Sequence, residues 1–276
     1  MQLKTLLASS AQKLASAGID NPQLEAELLA AGVLKTTRAD VIARISSEFE
    51  QLPQYNAALN RRLQREPIQY IFGEAYFFGL SLTVTKDVLI PRPETELLVD
   101  EALRMLDKVP PSKETIVVDV GTGSGAIAIA IAADNMKCRV FAIDVSPAAV
   151  NVAKQNVVRH ALDTRITVLQ GDLIAPLAQR PDIVIANLPY VKGPSIPGLQ
   201  PELRYEPLTA LDGGPDGLDV IRRLWKQLIE RFEGSGARVL IEHEADQADS
   251  VANLVNRPLR HLKDLAGLIR VTVVYL

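Results

Sequence analysis

Over roughly the first 72 residues the apolar positions recur near helical spacing: Leu3, Leu6, Leu7 and Leu14, then Leu24, Leu28 and Leu29, then Val41, Ile42 and Ile45. Short helices are predicted there. Asp20-Asn21-Pro22 gives a cap followed by proline at a first-turn position, and Thr37-Arg38-Ala39-Asp40 gives a second start with a capping pair in Thr37 and Asp40. The pattern changes over residues 75–90. Tyr76-Phe77-Phe78, Leu80, Leu82, Val84 and Val88-Leu89-Ile90, interrupted by Gly79 and Lys86-Asp87, suit a short hairpin. Pro91-Arg92-Pro93-Glu94-Thr95-Glu96 then breaks the strand and opens an amphipathic helix through Leu97, Leu98, Ala102, Leu103 and Leu106, which Pro110-Pro111 end.

From residue 115 strands and helices alternate. Strands are predicted at Thr115 to Val120, Arg139 to Ile143, Ile166 to Gln170, Asp182 to Ala186, Ala237 to Glu242 and Arg270 to Tyr275. Five of them run in βα alternation, which implies a mostly parallel sheet with helices on both faces, and the sixth closes the chain as an antiparallel edge. The fold class is therefore α/β, with a small helical domain in front. The expected organisation is a helical docking domain over residues 1–73, a hairpin connector over 74–90 and the α/β domain over 91–276. The N-terminal part carries no catalytic constellation, so it reads either as a docking module or as a structural cap.

Composition narrows the chemistry. The chain has 276 residues, 47% of them apolar, enough for a substantial core. A net charge of −3 gives no overall basic excess, which counts against affinity built mainly on phosphate neutralisation, so no direct nucleic-acid partner is expected. Cys138 is the single cysteine, so no intramolecular disulfide and no cysteine-based zinc cluster can form. His160, His243 and His261 are scattered without metal-ligand spacing, and no metal site is expected. No apolar run reaches the length of a membrane span and no leader-like segment opens the chain, so a cytoplasmic monomer away from membranes is the expectation.

The chemistry concentrates at the ends of predicted strands. Val117-Val118-Asp119-Val120 runs into Gly121-Thr122-Gly123-Ser124-Gly125 and then an apolar helix. Glycines there allow a tight turn and let backbone N–H groups approach a ligand, although a plain strand-to-helix connection has the same look. Asp144 ends the next strand about 20 residues later, where a carboxylate can accept both ribose hydroxyls. Ser146-Pro147 are better placed to start the following helix, which leaves Asp144 available. Asp172 and Leu173 repeat the placement after the third strand, where they suit an adenine amino group and ring. The glycines are spaced G-x-G-x-G, not G-x-G-x-x-G, which disfavours a nicotinamide dehydrogenase.

At this point residues 115–276 resemble the class I S-adenosylmethionine-dependent methyltransferases. The resemblance implies S-adenosyl-L-methionine as cofactor, with the glycine loop around its amino-acid end and the acidic residue on its ribose. Asn187-Leu188-Pro189-Tyr190, at the end of the fourth strand, resembles the (Asp/Asn/Ser)-Pro-Pro-Tyr signature of methyltransferases acting on planar nitrogen groups: adenine N6, cytosine N4 and the glutamine amide. An amide nitrogen is a poor nucleophile because its lone pair is delocalised, the resonance that gives a peptide bond a rotation barrier of about 18–20 kcal/mol. Acceptors at the Asn187 side-chain oxygen and the Leu188 carbonyl would orient its two N–H bonds and stabilise the positive charge that develops. Pro189 would fix that backbone, and Tyr190 would stack on the flat group. Leu188 stands where proline is more frequent, and the contact needed there comes from its backbone.

Three further stretches choose among acceptors. Ile90 to Glu96, Arg204 to Leu211 with Gly213-Gly214 and Asp216-Gly217-Leu218, and Ile241-Glu242-His243-Glu244 with Gln247 are similar to the bacterial peptide chain release factor N5-glutamine methyltransferases, nearly end to end. That resemblance implies methyl transfer to the glutamine of the release factors' Gly-Gly-Gln motif. The alternative is a nucleic-acid adenine N6 or cytosine N4 methyltransferase, for which the N-terminal part supplies neither basic nor aromatic tools. A non-catalytic cofactor-fold module is argued against by the intact Gly121, Gly123, Gly125, Asp144 and Asn187. Residues 191–218 read as a Pro- and Gly-rich loop, either closing over substrate or lying loose at the surface. Pro91 to Glu96 either line the acceptor pocket or only start a helix. Glu242 and Glu244 are read as supporting or solvated carboxylates.

Overall fold

The computed structural model describes residues 1–110 and 114–276, so Pro111, one of the two helix-ending prolines, lies outside the described residues. Two compact units emerge: residues 1–73 together with 200–205, and residues 74–199 together with 206–276.

The first unit is built on α1 (Leu3–Ser16), α2 (Pro22–Leu34), α3 (Arg38–Ala43), α4 (Leu52–Leu63) and α5 (Ile68–Phe72). Its core gathers Leu3, Leu7, Leu14, Leu29 and Tyr55, all but inaccessible to solvent. The capping box of α3 forms as the sequence suggests: Asp40 N–H donates to Thr37 Oγ1 at 3.1 Å, and Thr37 N–H donates back to the Asp40 carboxylate at 3.1 Å. The start of α2 departs from expectation. Pro22 does open the helix, but Asn21 takes left-handed geometry at φ 50° and makes no side-chain cap. Residues 200–205 belong here because the buried Arg62 bonds both Glu25 (2.6 Å) and Glu202 (3.0 Å), while Arg65 holds Glu202 at 2.8 Å.

The second unit opens with a hairpin, β1 (Glu74–Phe77) and β2 (Leu80–Thr83), whose two turn residues Phe78 and Gly79 both have positive φ, as a tight hairpin turn requires. It continues through α6 (Glu96–Asp107), β3 (Thr115–Val120), α7 (Ala126–Asp134), β4 (Cys138–Asp144), α8 (Pro147–Arg159), β5 (Ile166–Gln170), β6 (Ile183–Ala186), α9 (Asp219–Phe232), β7 (Arg238–Glu242), α10 (Ala248–Val255), β8 (Leu259–Lys263) and β9 (Ile269–Tyr275). Among the described residues the main sheet has seven strands in the order β5-β4-β3-β6-β7-β9-β8. The first five in that order are parallel, and β9 runs antiparallel to both neighbours.

Alternation along β3 feeds two cores. Val117 packs with Ile129, Ile131 and Leu98 on one face, while Val118 and Val120 pack with Ile143, Leu224 and Trp225 on the other. Each such buried aliphatic side chain contributes roughly 1.5–3 kcal/mol, which holds strand ends and their loops in fixed positions. One correction concerns the sheet's rim. The last strand of the chain is not the edge: β9 is internal, and the edge is β8, whose Leu-Arg-His-Leu-Lys sequence has charged residues facing solvent and gives little apolar signal.

Candidate active site

The chain runs outward from β3 through β4 to β5, then crosses back to β6 on the other side of β3. That reversal leaves a crevice beyond the carboxyl ends of β3 and β6, the place where open α/β sheets bind ligands. Parallel pairing of Val120 with Ala186 sets the next residues, Gly121 and Asn187, side by side. The glycine loop and the Asn-Leu-Pro-Tyr motif are neighbours for that reason.

A cavity of about 460 Å³ fills the crevice. Gly121, Thr122, Gly123, Ser124, Asp144, Asp172, Leu173, Asn187, Leu188 and Pro189 all line it. Gly125 turns the chain into α7 at φ 84°, and Tyr190 lies beyond the cavity wall. The volume falls within the range of about 300–1,000 Å³ usual for small-molecule sites.

The glycine loop is held from several sides. Gly121 and Thr122 donate their N–H groups to the Ile143 carbonyl at 2.8 and 3.0 Å. Asn156 of α8, wholly buried, donates to the carbonyls of Ser124 and Thr83 at 2.8 Å each and accepts from Thr83 N–H at 2.8 Å, which fastens loop and hairpin together. Gly123, at φ 56°, has open space where a Cβ would stand, and Gly121 has Leu188 Cδ2 only 3.0 Å from that position. The Leu188 side chain is thus spent on packing, at 3% exposure.

Two carboxyls shape the field of the loop. Asp144 accepts from Gly123 N–H and Ser146 N–H, each at 2.9 Å. Ser146 does cap α8, as the sequence suggests, but Asp144 is not idle: one oxygen braces the glycine loop and the other the turn into α8. Each oxygen keeps a lone pair for a ligand, and burial pushes this carboxyl above the usual range. Asp119, not singled out from the sequence, lies wholly buried beneath the loop. Its Oδ2 accepts from Thr122 Oγ1 (2.6 Å) and Ala128 N–H (3.2 Å), its Oδ1 has no partner, and burial pushes it up to about 7.

Asp172 lines the cavity but is engaged from behind: Arg223 bonds one oxygen and Gln227 Nε2 donates to the other at 3.2 Å. Leu173 beside it adopts φ 53°, which turns the loop over the cavity floor. A free donor-acceptor carboxylate is therefore not what the sequence's second acidic position supplies; it is a paired one.

Around the motif the structure adds residues that no spacing rule pointed to. Asn187 Nδ2 donates to Thr95 Oγ1 at 2.9 Å, and the Tyr190 hydroxyl donates to Glu242 Oε1 at 3.2 Å. Glu242 is 1% exposed, and burial pushes it up to about 7, opposed by the hydroxyls of Thr95 and Tyr190. Burial, with the Glu242 and Glu244 charges, raises the Tyr190 phenol strongly, so it stays a donor. Gln247 Nε2 donates to the Tyr190 carbonyl at 2.9 Å. The segment Pro91 to Glu96 does both things weighed for it: Pro91, Arg92 and Thr95 line the cavity, and residues 93–95 form the turn that leads into α6.

The loop after the motif is ordered and folds back on it. Val191 N–H bonds the Leu211 carbonyl and Gly213 N–H returns to the Val191 carbonyl, each at 2.9 Å. A Cβ on Gly217, at φ 79°, would stand 2.2 Å from the Tyr190 carbonyl oxygen, so only glycine permits this closure. Buried Glu206 accepts from Ile90 N–H (3.1 Å) and Arg92 Nη2 (2.5 Å), which ties the loop to the cavity wall.

Comparison with known proteins places this geometry. Residues 5–73 match the family model described as PrmC N-terminal domain, and residues 99–189 match that of ribosomal protein L11 methyltransferase (PrmA). A release factor glutamine methyltransferase of Moorella thermoacetica is 38% identical, covering 100% of this chain and 99% of its own length. That of Geobacter sulfurreducens is also 38% identical, covering 88% and 84%. Among solved structures, the hMettl16 catalytic domain bound to a MAT2A 3′UTR hairpin superposes with a TM-score of 0.58 at 16% identity, over 90% of this chain and 89% of that one. The N-terminal domain of human METTL16 in complex with SAH gives 0.52 at 18% identity, over 84% and 85%. The last two likenesses speak to fold alone.

Proposed function

The chain belongs to the release factor glutamine methyltransferases, and from that membership we propose how its own residues divide the work of moving a methyl group from S-adenosylmethionine to the glutamine side-chain amide N5 of a peptide chain release factor. The observation that carries the reading is the apposition of Gly121 and Asn187 at the open end of the sheet, donor loop against acceptor motif.

The crevice fits the cofactor. The positive-φ glycines offer backbone where side chains would intrude, Asp144 presents lone pairs to a ribose, and the Asp119 carboxyl lies under the loop that would meet the cationic amino-acid end. Gly121, Thr122, Gly123, Ser124, Gly125, Asp144, Asp172 and Leu173 are the residues assigned to hold it, with Asn187 at the boundary. S-adenosylmethionine supplies an electrophilic methyl group on a sulfonium.

The acceptor side is assigned to Asn187, Leu188, Pro189 and Tyr190. Asn187 uses its Nδ2 on Thr95, which leaves Oδ1 as the acceptor for one amide proton. The Leu188 carbonyl, rigidified by Pro189, takes the other. Tyr190, held by Glu242 and Gln247, offers its ring beside the amide. These acceptors favour a nitrogen whose lone pair is withdrawn from resonance, because charge then develops where they point. The glutamine N–H becomes acidic as the new N–C bond forms, so no strong base is required before attack. No helix among the described residues is long and apolar enough to cross a membrane. Action as a monomer in the cytoplasm, with the Gly-Gly-Gln motif of the release factor as the target, completes the proposal.

The test is methyl transfer from labelled S-adenosylmethionine to an intact release factor and to its Gly-Gly-Ala variant, with the product peptide read by mass spectrometry. Methylglutamine in the first and no label in the second is expected. Label in nucleic acid and none in the release factor would instead favour a base methyltransferase.

A further inference from the structure

Thr95 stands at the amino-terminal cap of α6, where a threonine hydroxyl ordinarily accepts a backbone N–H of the first turn. It does not do so: it makes no side-chain cap, is 3% exposed, and its Oγ1 accepts Asn187 Nδ2 at 2.9 Å. A capping contribution of about 1 kcal/mol has been given up for a contact with the acceptor motif. From this geometry we propose that Thr95 is the positioning residue that fixes which end of the Asn187 carboxamide faces the reacting amide. The inference rests on the reading of Asn187 as an acceptor and goes one layer behind it.

The argument is one of proton direction. A carboxamide has nearly the same shape after a half-turn, so packing alone cannot choose between oxygen-out and nitrogen-out. Only oxygen-out serves the reaction, because the substrate amide brings two N–H donors. Parallel pairing of Ala186 with Ile241 sets Asn187 and Glu242 at neighbouring strand ends, with Thr95 between them in the hydrogen-bonding order. A carboxylate can only accept. Glu242 Oε1 takes the Tyr190 hydroxyl at 3.2 Å, while the buried Oε2 has no other partner at bonding distance, so the single proton of the Thr95 hydroxyl turns to this carboxyl. The Thr95 oxygen then presents lone pairs to Asn187. A flipped Asn187 would set oxygen against oxygen, with a buried acceptor unpaired at a cost of about 1–3 kcal/mol. The relay Glu242, Thr95, Asn187 therefore holds Oδ1 toward the substrate.

The experiment compares Thr95→Val, which keeps the shape and removes the hydroxyl, with Thr95→Ser, which keeps the hydroxyl, each alone and in an Asn187→Ala background. With intact release factor at saturation, Thr95→Val is expected to lower kcat by about 10- to 100-fold, since misdirected catalytic groups cost on that order. The KM for release factor and the Kd for S-adenosylhomocysteine should stay within about threefold. Thr95→Ser should recover kcat to within about threefold of wild type, and Thr95→Val should add less than about twofold once Asn187 is alanine. Equal losses in the valine and serine variants, no loss in either, or an undiminished Thr95→Val effect without Asn187 would overturn the inference. If Asn187→Ala itself left kcat unchanged, the acceptor reading would fall, a result separable from the failure of Thr95 alone.

Discussion

Replacing Glu242 with glutamine should change how the stability of the α/β unit depends on pH. In the unfolded chain this carboxyl titrates near its ordinary 4.5, whereas burial in the fold pushes it up to about 7. Between those values the folded protein holds a proton that the unfolded chain has released, so stability is fully present below pH 4.5 and is lost as pH rises toward 7. At about 1.4 kcal/mol per pH unit the loss accumulates to about 3 kcal/mol. Glutamine keeps the volume and an acceptor for the Tyr190 hydroxyl but carries no charge to bury. Asp119, pushed up to about 7 as well, adds a slope of the same sign to both proteins and cancels in their difference. Urea unfolding followed by fluorescence isolates the effect, because Trp225 is the single tryptophan and is buried against the sheet of this unit. Stability of Glu242→Gln relative to wild type should increase by about 3 kcal/mol from about pH 4 to about pH 8. A gap constant to within about 0.5 kcal/mol would mean that Glu242 ionises in the fold as readily as in water, and the argument from burial would fail.

Two further outcomes are expected. Asp144→Ala removes the carboxylate that braces Gly123 and faces the cavity, so the Kd for S-adenosylhomocysteine in calorimetry should rise at least tenfold, consistent with the roughly 1.5–3 kcal/mol of a hydrogen bond to a charged group. An unchanged Kd would remove Asp144 from the cofactor site. Gly217→Ala forces a Cβ to within 2.2 Å of the Tyr190 carbonyl at a positive φ, so it should lower the midpoint of thermal unfolding and depress methyl transfer together, while Gly198→Ala, with open space around it, should do neither.

The parts of this site that were legible in the sequence are those written as contiguous runs at strand ends. Gly121 to Gly125 and Asn187 to Tyr190 each follow a continuous apolar strand, and the doubly wound topology does the rest by setting β3 beside β6. Asp144 was legible for the same reason, although its two backbone contacts were not, because they depend on how the glycine loop curls back toward β4. Thr95 and Glu242 are far apart in the chain, and only the pairing of β6 with β7 and the placement of α6 bring them to Asn187. No spacing pattern records such a meeting. Asp119 looked like one polar interruption in a buried strand, and its partners Thr122 and Ala128 become visible only when the loop turns over it. The edge strand β8 was missed because one of its faces is wet and its period-2 signal is filled with Arg260 and Lys263.

The central claim is that Asn187 supplies the acceptor that directs the glutamine nitrogen toward the methyl group. Its most direct test is the single-turnover rate of methyl transfer by Asn187→Ala with cofactor and release factor both saturating. A fall of roughly 100-fold or more is predicted, the scale of losing one preorganised charge-stabilising group, with the Kd for S-adenosylhomocysteine within a few-fold of wild type. A rate within about threefold of wild type would contradict the account.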